Sequence, residues 1–475
     1  MEVTFDDGSI GYFEDKPFSS GAQGKLYRSL DGNSVVKLYK SDPKREAKHR
    51  EHIQLLISDF NPTKDHPYWN DYFAWPQKCV VAPRVGFSMR HIPMKKLDEH
   101  LPYYYSDIYG DLRPQERGWF IGRLAVAIKL VSAANRLASL GLCYSDFSDK
   151  NVMVDPVDGR MTLIDCDSLF VPDKFQPEYE GTSFYKAPEI FSGHVNAPSP
   201  QTDRHALAVL LYIWLVGWHP LDGDKVYPVD MSAMGDEDQQ DTLRYGREAL
   251  YIEHPTDHSN RCSKHKFTAC ALGSKLKELF EAAFIKGLHN PAHRPHPYQW
   301  QRALAEAYDR VIPCSSPSCE WRYFIVPNQM RHLTCPYCLQ PVKYPRTLPV
   351  ITLLEHNGTS DLEGYNKSFQ TIIGWPGRKL REWHVKAHHS PIPTSPDYYP
   401  DRSAMASFEF DSRKGQWYLY NDQLPSTRFR WTSSTSRNWQ RWPLHTSIAL
   451  RSDMVIQFGD APAYTRARIR LEEIN

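Results

Sequence analysis

The stretch "GLCYSDFSDKNVMVDPVDGRMTLIDCDS", Gly141 to Ser168, constrains this chain more tightly than any other. Two short apolar runs, "NVMV" and "MTLI", flank "DPVDG", whose Asp-Gly pair is a hairpin turn signal. Antiparallel pairing sets the start of the first run beside the end of the second. Asn151 and Asp165 therefore meet at one end, and Asp146 stands five residues upstream, within a loop's reach. An amide oxygen and a carboxylate are hard donors suited to magnesium. A separate carboxylate nearby can accept a hydroxyl proton.

The first 90 or so residues carry strand-like runs, "GKLYRSL", "SVVKLYK" and "CVVAPRVGF", and one helix-like run, "PKREAKHREHIQLLISDF". Gly21 and Gly24 in "FSSGAQGKLYR" precede a strand, where backbone N–H groups can approach phosphate oxygens. A lone Gly-x-x-G is more often just a turn. Lys37 sits inside the apolar strand "SVVKLYK", and Glu51 on the following helix is placed to pair with it, with Glu46 the competing choice. From 115 to 310 helices dominate.

Taken in order, these residues resemble the protein-kinase signature set. "APE" stands at Ala187–Glu189, Asp203 opens the apolar run "DRHALAVLLYIWLVGWHPL", and Arg294 in "NPAHRP" is placed to pair with Glu189. The resemblance implies a bilobal kinase-like fold over 1–312, with an N-lobe at 1–90 and a C-lobe at 91–312. It implies that Gly21 and Gly24 cover the phosphates of ATP and that Lys37, held by Glu51, grips the α- and β-phosphates. Asn151 and Asp165 would hold Mg2+, and Asp146 would take the proton of a Ser or Thr hydroxyl. Arg90, His91 and Ile92 would form the adenine hinge, with Met89 as gatekeeper. "LIDCDS", "GFSM", "YKAPEI" and "RYGREALYIEHPTDHSNR" resemble a bacterial group associated with stress and tellurite-resistance-type gene neighbourhoods. That resemblance implies protein substrates, and as partners a von Willebrand A-type protein and a metal-dependent Ser/Thr phosphatase.

The chain departs from the kinase pattern in three places. His-Arg-Asp is Tyr144-Ser145-Asp146, the Lys two residues after the catalytic Asp is Ser148, and Asp-Phe-Gly is Asp165-Cys166-Asp167. Loss of a cation beside the transferred phosphoryl group lowers the expected rate. Two readings follow: an ATP- and magnesium-dependent Ser/Thr kinase, or a catalytically weak pseudokinase scaffold that assembles a signalling complex.

Cys314, Cys319, Cys335 and Cys338 form a C-x4-C and a C-x2-C knuckle flanking "EWRYFIV". That pattern suits a structural zinc ribbon over 313–342, because four thiolates close the tetrahedral shell around Zn2+. Arg322 and Arg331 are its main basic residues, too few to track a nucleic-acid backbone. Residues 343–349 form a linker. The region 350–475, rich in Trp, Tyr, Thr and Ser, is expected to be an all-β sandwich. Gly377-Arg378, His384, "QWYLYN", Ser426 and "DMVIQFG" give it the outline of a divergent forkhead-associated domain. Such domains read phosphothreonine, which implies a phosphopeptide or acidic-ligand site at Arg378, Arg381, Ser426 and Arg428. The expected class is thus α+β and multidomain.

Formal net charge is +1 over 475 residues, which gives no prior for nucleic acid or membrane. The longest apolar run, "ALAVLLYIWLVGWHP", falls short of the roughly 20 residues of a membrane span. The acidic start "MEVTFDDGSIGYFED" lacks a signal-peptide pattern, and nine cysteines are an odd number with four clustered. A cytoplasmic, reducing location is the expectation.

Overall fold

A computed structural model describes residues 1–101, 118–170, 181–226, 240, 243–263, 267–356, 364–386 and 404–474, apart from 22, 196, 344, 425, 432–437 and 461–462. The described part is mixed α and β.

Among the described residues the first sheet has seven strands: β1 (Glu2–Phe5), β2 (Ile10–Tyr12), β3 (Ser19–Ser20), β4 (Gly24–Arg28), β5 (Ser34–Tyr39), β6 (Lys78–Ala82) and β7 (Gly86–Arg90). Their order is β2-β1-β6-β7-β5-β4-β3, and every pairing is antiparallel. β5 lies inside the sheet between β7 and β4, so five of its six residues, Lys37 among them, are buried. Helix α1 (Glu46–Ser58) buries Ile53 and Leu56 and leaves Glu46, Lys48 and Glu51 exposed.

Two long helices form the centre of the next region. α2 (Trp119–Ser139) is buried along most of its length. α3 (Pro188–Phe191) is short, and α4 (Pro200–Val216) buries every residue from His205 to Val216. α4 starts cleanly: Pro200 takes the first turn, and Ser199 and Thr202 form a reciprocal capping box. It stops at Gly217, whose φ of 85° suits a residue without Cβ. Further on lie α5 (Ser274–Glu281) and α6 (Pro297–Asp309). No described helix is long and apolar enough to cross a membrane.

Arg294 pairs with Glu189 as the sequence anticipated. Nη1 and Nη2 reach the two carboxylate oxygens at 2.6 and 2.7 Å, and Arg294 is fully buried. The fork also donates to backbone carbonyls of Gln201, Gly287 and Leu288. Arg294→Ala would strand the Glu189 carboxylate, so the expected loss is about 3 kcal/mol of stability, read as a lower denaturant midpoint.

The opening stretch forms the expected hairpin. β8 (Lys95–Lys96), β9 (Val152–Asp155) and β10 (Arg160–Leu163) make a small sheet in which Leu163 stands opposite Val152 and Arg160 opposite Asp155. The Ile164 N–H donates to the Asn151 carbonyl at 3.0 Å, extending the ladder to the residue before Asp165.

The cysteine segment adds β11 (Val311–Pro313) and β12 (Tyr323–Ile325). It is fastened to the helical region by aromatic stacking. Trp321, Tyr337 and Phe267 lie nearly parallel with centroids 4.5–5.5 Å apart, and Phe120 of α2 meets Trp321 edge-on. Arg123 of α2 is held between the Trp214 and Trp321 faces, at 4.5 and 5.3 Å.

The last region has two antiparallel sheets. One is β14 (Tyr365–Ile373), β13 (Thr347–His356), β22 (Arg466–Glu473), β21 (Met454–Gln457), β18 (Arg428–Trp431) and β19 (Gln440–Arg441), in that order. The other is β15 (Lys379–Arg381), β16 (Ala404–Asp411), β17 (Gln416–Asn421) and β20 (Ser447–Ala449). Leu353, Ile372 and Ile469 from one sheet share a single apolar core with Phe408, Trp417 and Leu419 from the other. The short helix α7 (Glu382–Val385) follows β15. Within the segment expected as linker, Thr347–Pro349 are already strand, opposite Glu473, Glu472 and Leu471.

Asp309, the last residue of α6, joins this region to the helices. Its buried carboxylate takes hydrogen bonds from Arg378 (3.0 Å), His384 (3.1 Å) and Gln370.

Candidate active site

Lys37 points from the buried strand β5 toward the hairpin. Its ammonium lies 2.7 Å from Asp165 Oδ1, 2.9 and 2.8 Å from the two Asp167 oxygens, and 3.2 Å from Gln23 Oε1. Burial alone would depress a lysine, but the two carboxylates outweigh it and hold Lys37 above its ordinary pKa. Burial and the neighbouring Asp167 charge push Asp165 upward, against the pull of Lys37. Asp165 keeps 38 % of its side chain exposed, whereas Asp167 keeps 1 %. Glu51, expected to hold Lys37, is exposed on α1, as is Glu46. The reason is geometric: Asp167 is buried directly against the ammonium and fixed there by the Tyr39 hydroxyl at 2.7 Å.

Asp146 sits on a loop gripped from below by Asp203. The Asp203 carboxylate accepts the Tyr144 N–H at 2.6 Å and the Ser145 N–H at 2.9 Å. Burial pushes Asp203 up to about 6. Ser145 and Asp165 adopt left-handed backbone, φ 72° and 58°, at a cost of about 1–3 kcal/mol each. Strain of that kind persists only where surrounding bonds over-determine it. Asn151 Nδ2 donates to Asp146 Oδ2 at 2.7 Å and to the Asp146 carbonyl at 3.1 Å. Thr182 donates to Asp146 Oδ1 through both N–H (2.9 Å) and hydroxyl (2.8 Å). Ser148 is buried and its hydroxyl has no hydrogen-bond partner among the described residues, while Lys150 is exposed.

Gly21 and Gly24 close the β3–β4 hairpin, Gly21 N–H donating to the Gly24 carbonyl at 2.9 Å. A Cβ on Gly24 would lie 2.5 Å from the Leu38 carbonyl oxygen, so strand packing by itself demands glycine there. Gly21 faces open space. Met89 is buried in β7 and Ile92 just beyond it. Arg90 donates to the Asn70 carbonyl, and the His91 N–H is spent on the Asn33 carbonyl at 3.0 Å. That N–H is therefore not free for a base, which narrows the expected hinge.

Sequence reading missed Gln23, Thr182 and the bond between Lys37 and Asp167. Asp167 was visible as an anomaly in "DCD", but its direction was not. Nothing in the spacing of "EGTSFYKAPE" marks Thr182.

The four cysteines converge: their Sγ atoms all lie within 4.8 Å of one another, and Cys314, Cys319 and Cys335 are buried. Four thiols at that separation fit a closed tetrahedral zinc shell, with no position left for catalysis.

The arginine site of the last region does not assemble. Arg378 is buried and committed to Asp309 and to the carbonyls of Tyr308 and Val311. Arg381 is buried with its guanidinium 5.1 Å from the Trp383 ring centre. Arg428 begins β18 of the other sheet, with Ser426 in the turn before it, and lies over Trp439 and 3.9 Å from Asp460. A carboxylate of the chain itself holds the arginine that was expected to meet a phosphate.

No protein-family model matches the chain. Part of it is similar to "NUAK family SNF1-like kinase 1" of Mus musculus and of Homo sapiens, 30% identical over 96 residues in each case. It is also similar to "NUAK family SNF1-like kinase 2" of Rattus norvegicus, 31% identical over 97 residues. These matches cover 20% of this chain and 14–15% of the relatives. The chain thus contains a kinase-like region.

Proposed function

We propose that the chain is an ATP- and magnesium-dependent Ser/Thr protein kinase, bilobal over 1–312, with a zinc-stapled β region behind it. The observation that carries this reading is the convergence of Lys37 with Asp165, beside the bonded pair Asn151–Asp146. Asn151 spends Nδ2 on Asp146, which leaves Oδ1 for a cation, and the part-exposed Asp165 supplies a carboxylate. These are hard oxygen donors, so the set fits magnesium, which when bound neutralises phosphate charge. Lys37 would grip ATP phosphates from the sheet side. Asp146, aligned by Asn151 and Thr182, would orient the substrate hydroxyl and take its proton as the γ-phosphoryl group leaves ATP. The similarity to kinases supports protein substrates in general. A bacterial stress-signalling role, and the two partner proteins named above, rest on motif resemblance alone.

A second reading, the scaffold, is favoured by one observation. Ser148 is buried where a kinase would offer a lysine, so the transferred group lacks that cation. Incubation with labelled ATP and magnesium decides between them. The kinase reading requires label on protein substrate that Asp146→Ala abolishes. Nucleotide binding without any Asp146-dependent label would establish the scaffold.

A further inference from the structure

Lys37 is held by two carboxylates of unequal character, and the difference points to a division of labour. Asp165 makes one contact and keeps 38 % of its side chain exposed. Asp167 makes two contacts, is 1 % exposed, and is itself fixed by Tyr39. Tyr39 stands two residues beyond Lys37 on β5, so both side chains leave the same face of the strand. The ring of Tyr39 is stacked at 4.4 Å on His49 of α1. Helix α1 therefore supports the lysine through an imidazole and a phenol, while its own glutamates face outward.

We propose that Asp167, braced by Tyr39, is the positioning residue for Lys37, taking the place of a glutamate from the helix. The proposal rests on the kinase reading above and deepens it. When nucleotide and cation enter, Asp165 can turn to the cation because it is part-exposed and held by one bond. Asp167 cannot follow, because it is buried and triply bonded. Lys37 would then keep its buried carboxylate partner, and the donor that Asp165 releases would be available to phosphate oxygen. An aspartate at 167 in place of glycine is, on this view, what allows α1 to dispense with a glutamate.

The test uses the full-length protein with magnesium and compares ADP with adenosine, since Lys37 can act only on a ligand that carries phosphates. Asp167→Asn is expected to weaken ADP binding by roughly tenfold and leave adenosine binding unchanged. Tyr39→Phe, which removes one hydroxyl, should move ADP in the same direction by less. Glu51→Gln should leave both ligands at wild-type affinity. Equal weakening of ADP and adenosine in Asp167→Asn would mean a merely structural residue and would overturn the proposal. So would wild-type ADP affinity in that variant, or an ADP loss in Glu51→Gln as large as that in Asp167→Asn. Wild-type protein that binds neither ligand would instead overturn the kinase reading, and this proposal with it.

Discussion

Stripping zinc with a strong chelator is expected to unfold residues 313–342 and to loosen the helices they contact. Its own secondary structure is slight, and the rest of its support is apolar contact with the neighbouring regions, through Ile312, Phe324 and Val326 among others. β11 and β12 are three residues each, and three of the four cysteines contribute to its buried interior. Structural zinc sites are worth on the order of 10–16 kcal/mol of apparent binding free energy, far more than two short strands supply. The effect should spread, because Trp321 and Tyr337 stack on Phe267 and meet Phe120 at an angle, and Trp321 covers Arg123. Losing that cover exposes α2, the central helix of the neighbouring region. The measurement is one equivalent of metal released per chain, together with a red shift of tryptophan emission and a lower melting temperature. Cys335→Ser should copy the chelator, since a hydroxyl does not replace a thiolate ligand. Four freely titrating thiols in untreated protein, with no metal present, would sink this expectation.

Removing the carboxylate of Asp309 is the second change with a large expected cost. Asp309→Ala leaves Arg378 and His384 buried without their acid and Gln370 without its acceptor. Breaking a buried ion pair from one side costs about 3–5 kcal/mol. Because Asp309 links α6 to β14 and to the turn before β15, the loss should appear as earlier unfolding of the β region. Protease cleavage within residues 350–475 and a lower denaturant midpoint would both register it. The pH dependence follows from the sign of the shift. Burial raises the Asp309 pKa, but His384 and Arg378 outweigh it and hold the group below its ordinary value. Its contribution is complete above the ordinary aspartate range and is lost only as pH falls through the lower folded value. Arg378→Ala should behave like Asp309→Ala in stability. If Arg378→Ala instead left stability unchanged and abolished phosphothreonine-peptide binding, the structural role assigned to Arg378 would be wrong.

The hairpin was legible because its signals are local. An Asp-Gly turn between two apolar runs fixes the register, and the register brings Asn151 next to Ile164. The cysteine cluster was legible for a similar reason, since four soft ligands in two knuckles have few other uses. α4 declared itself through its unbroken apolar run, though it starts at Pro200, before the Asp203 that the sequence put first. The Glu189–Arg294 pair spans 105 residues, and only the kinase motif order anticipated it.

What failed was direction. Glu51, with Glu46 as the competing choice, was the acid expected at Lys37, and local sequence cannot say that both turn outward. Packing chose Asp167, because the β5 face and the end of the hairpin close on each other and exclude solvent there. Arg378 failed for the same reason. Its loop position suited a phosphate reader, yet α6 delivers Asp309 to it first.

The amino-acid sequence by itself determined the kinds of chemistry present: a lysine inside a strand, an amide and carboxylates around a hairpin, and four thiols in two knuckles. Those follow from residue type and short-range periodicity. Only the tertiary structure decided which charges meet. Partners chosen across 60 to 130 residues depend on how whole elements pack, and a buried charge takes whichever counter-charge that packing leaves within about 3 Å.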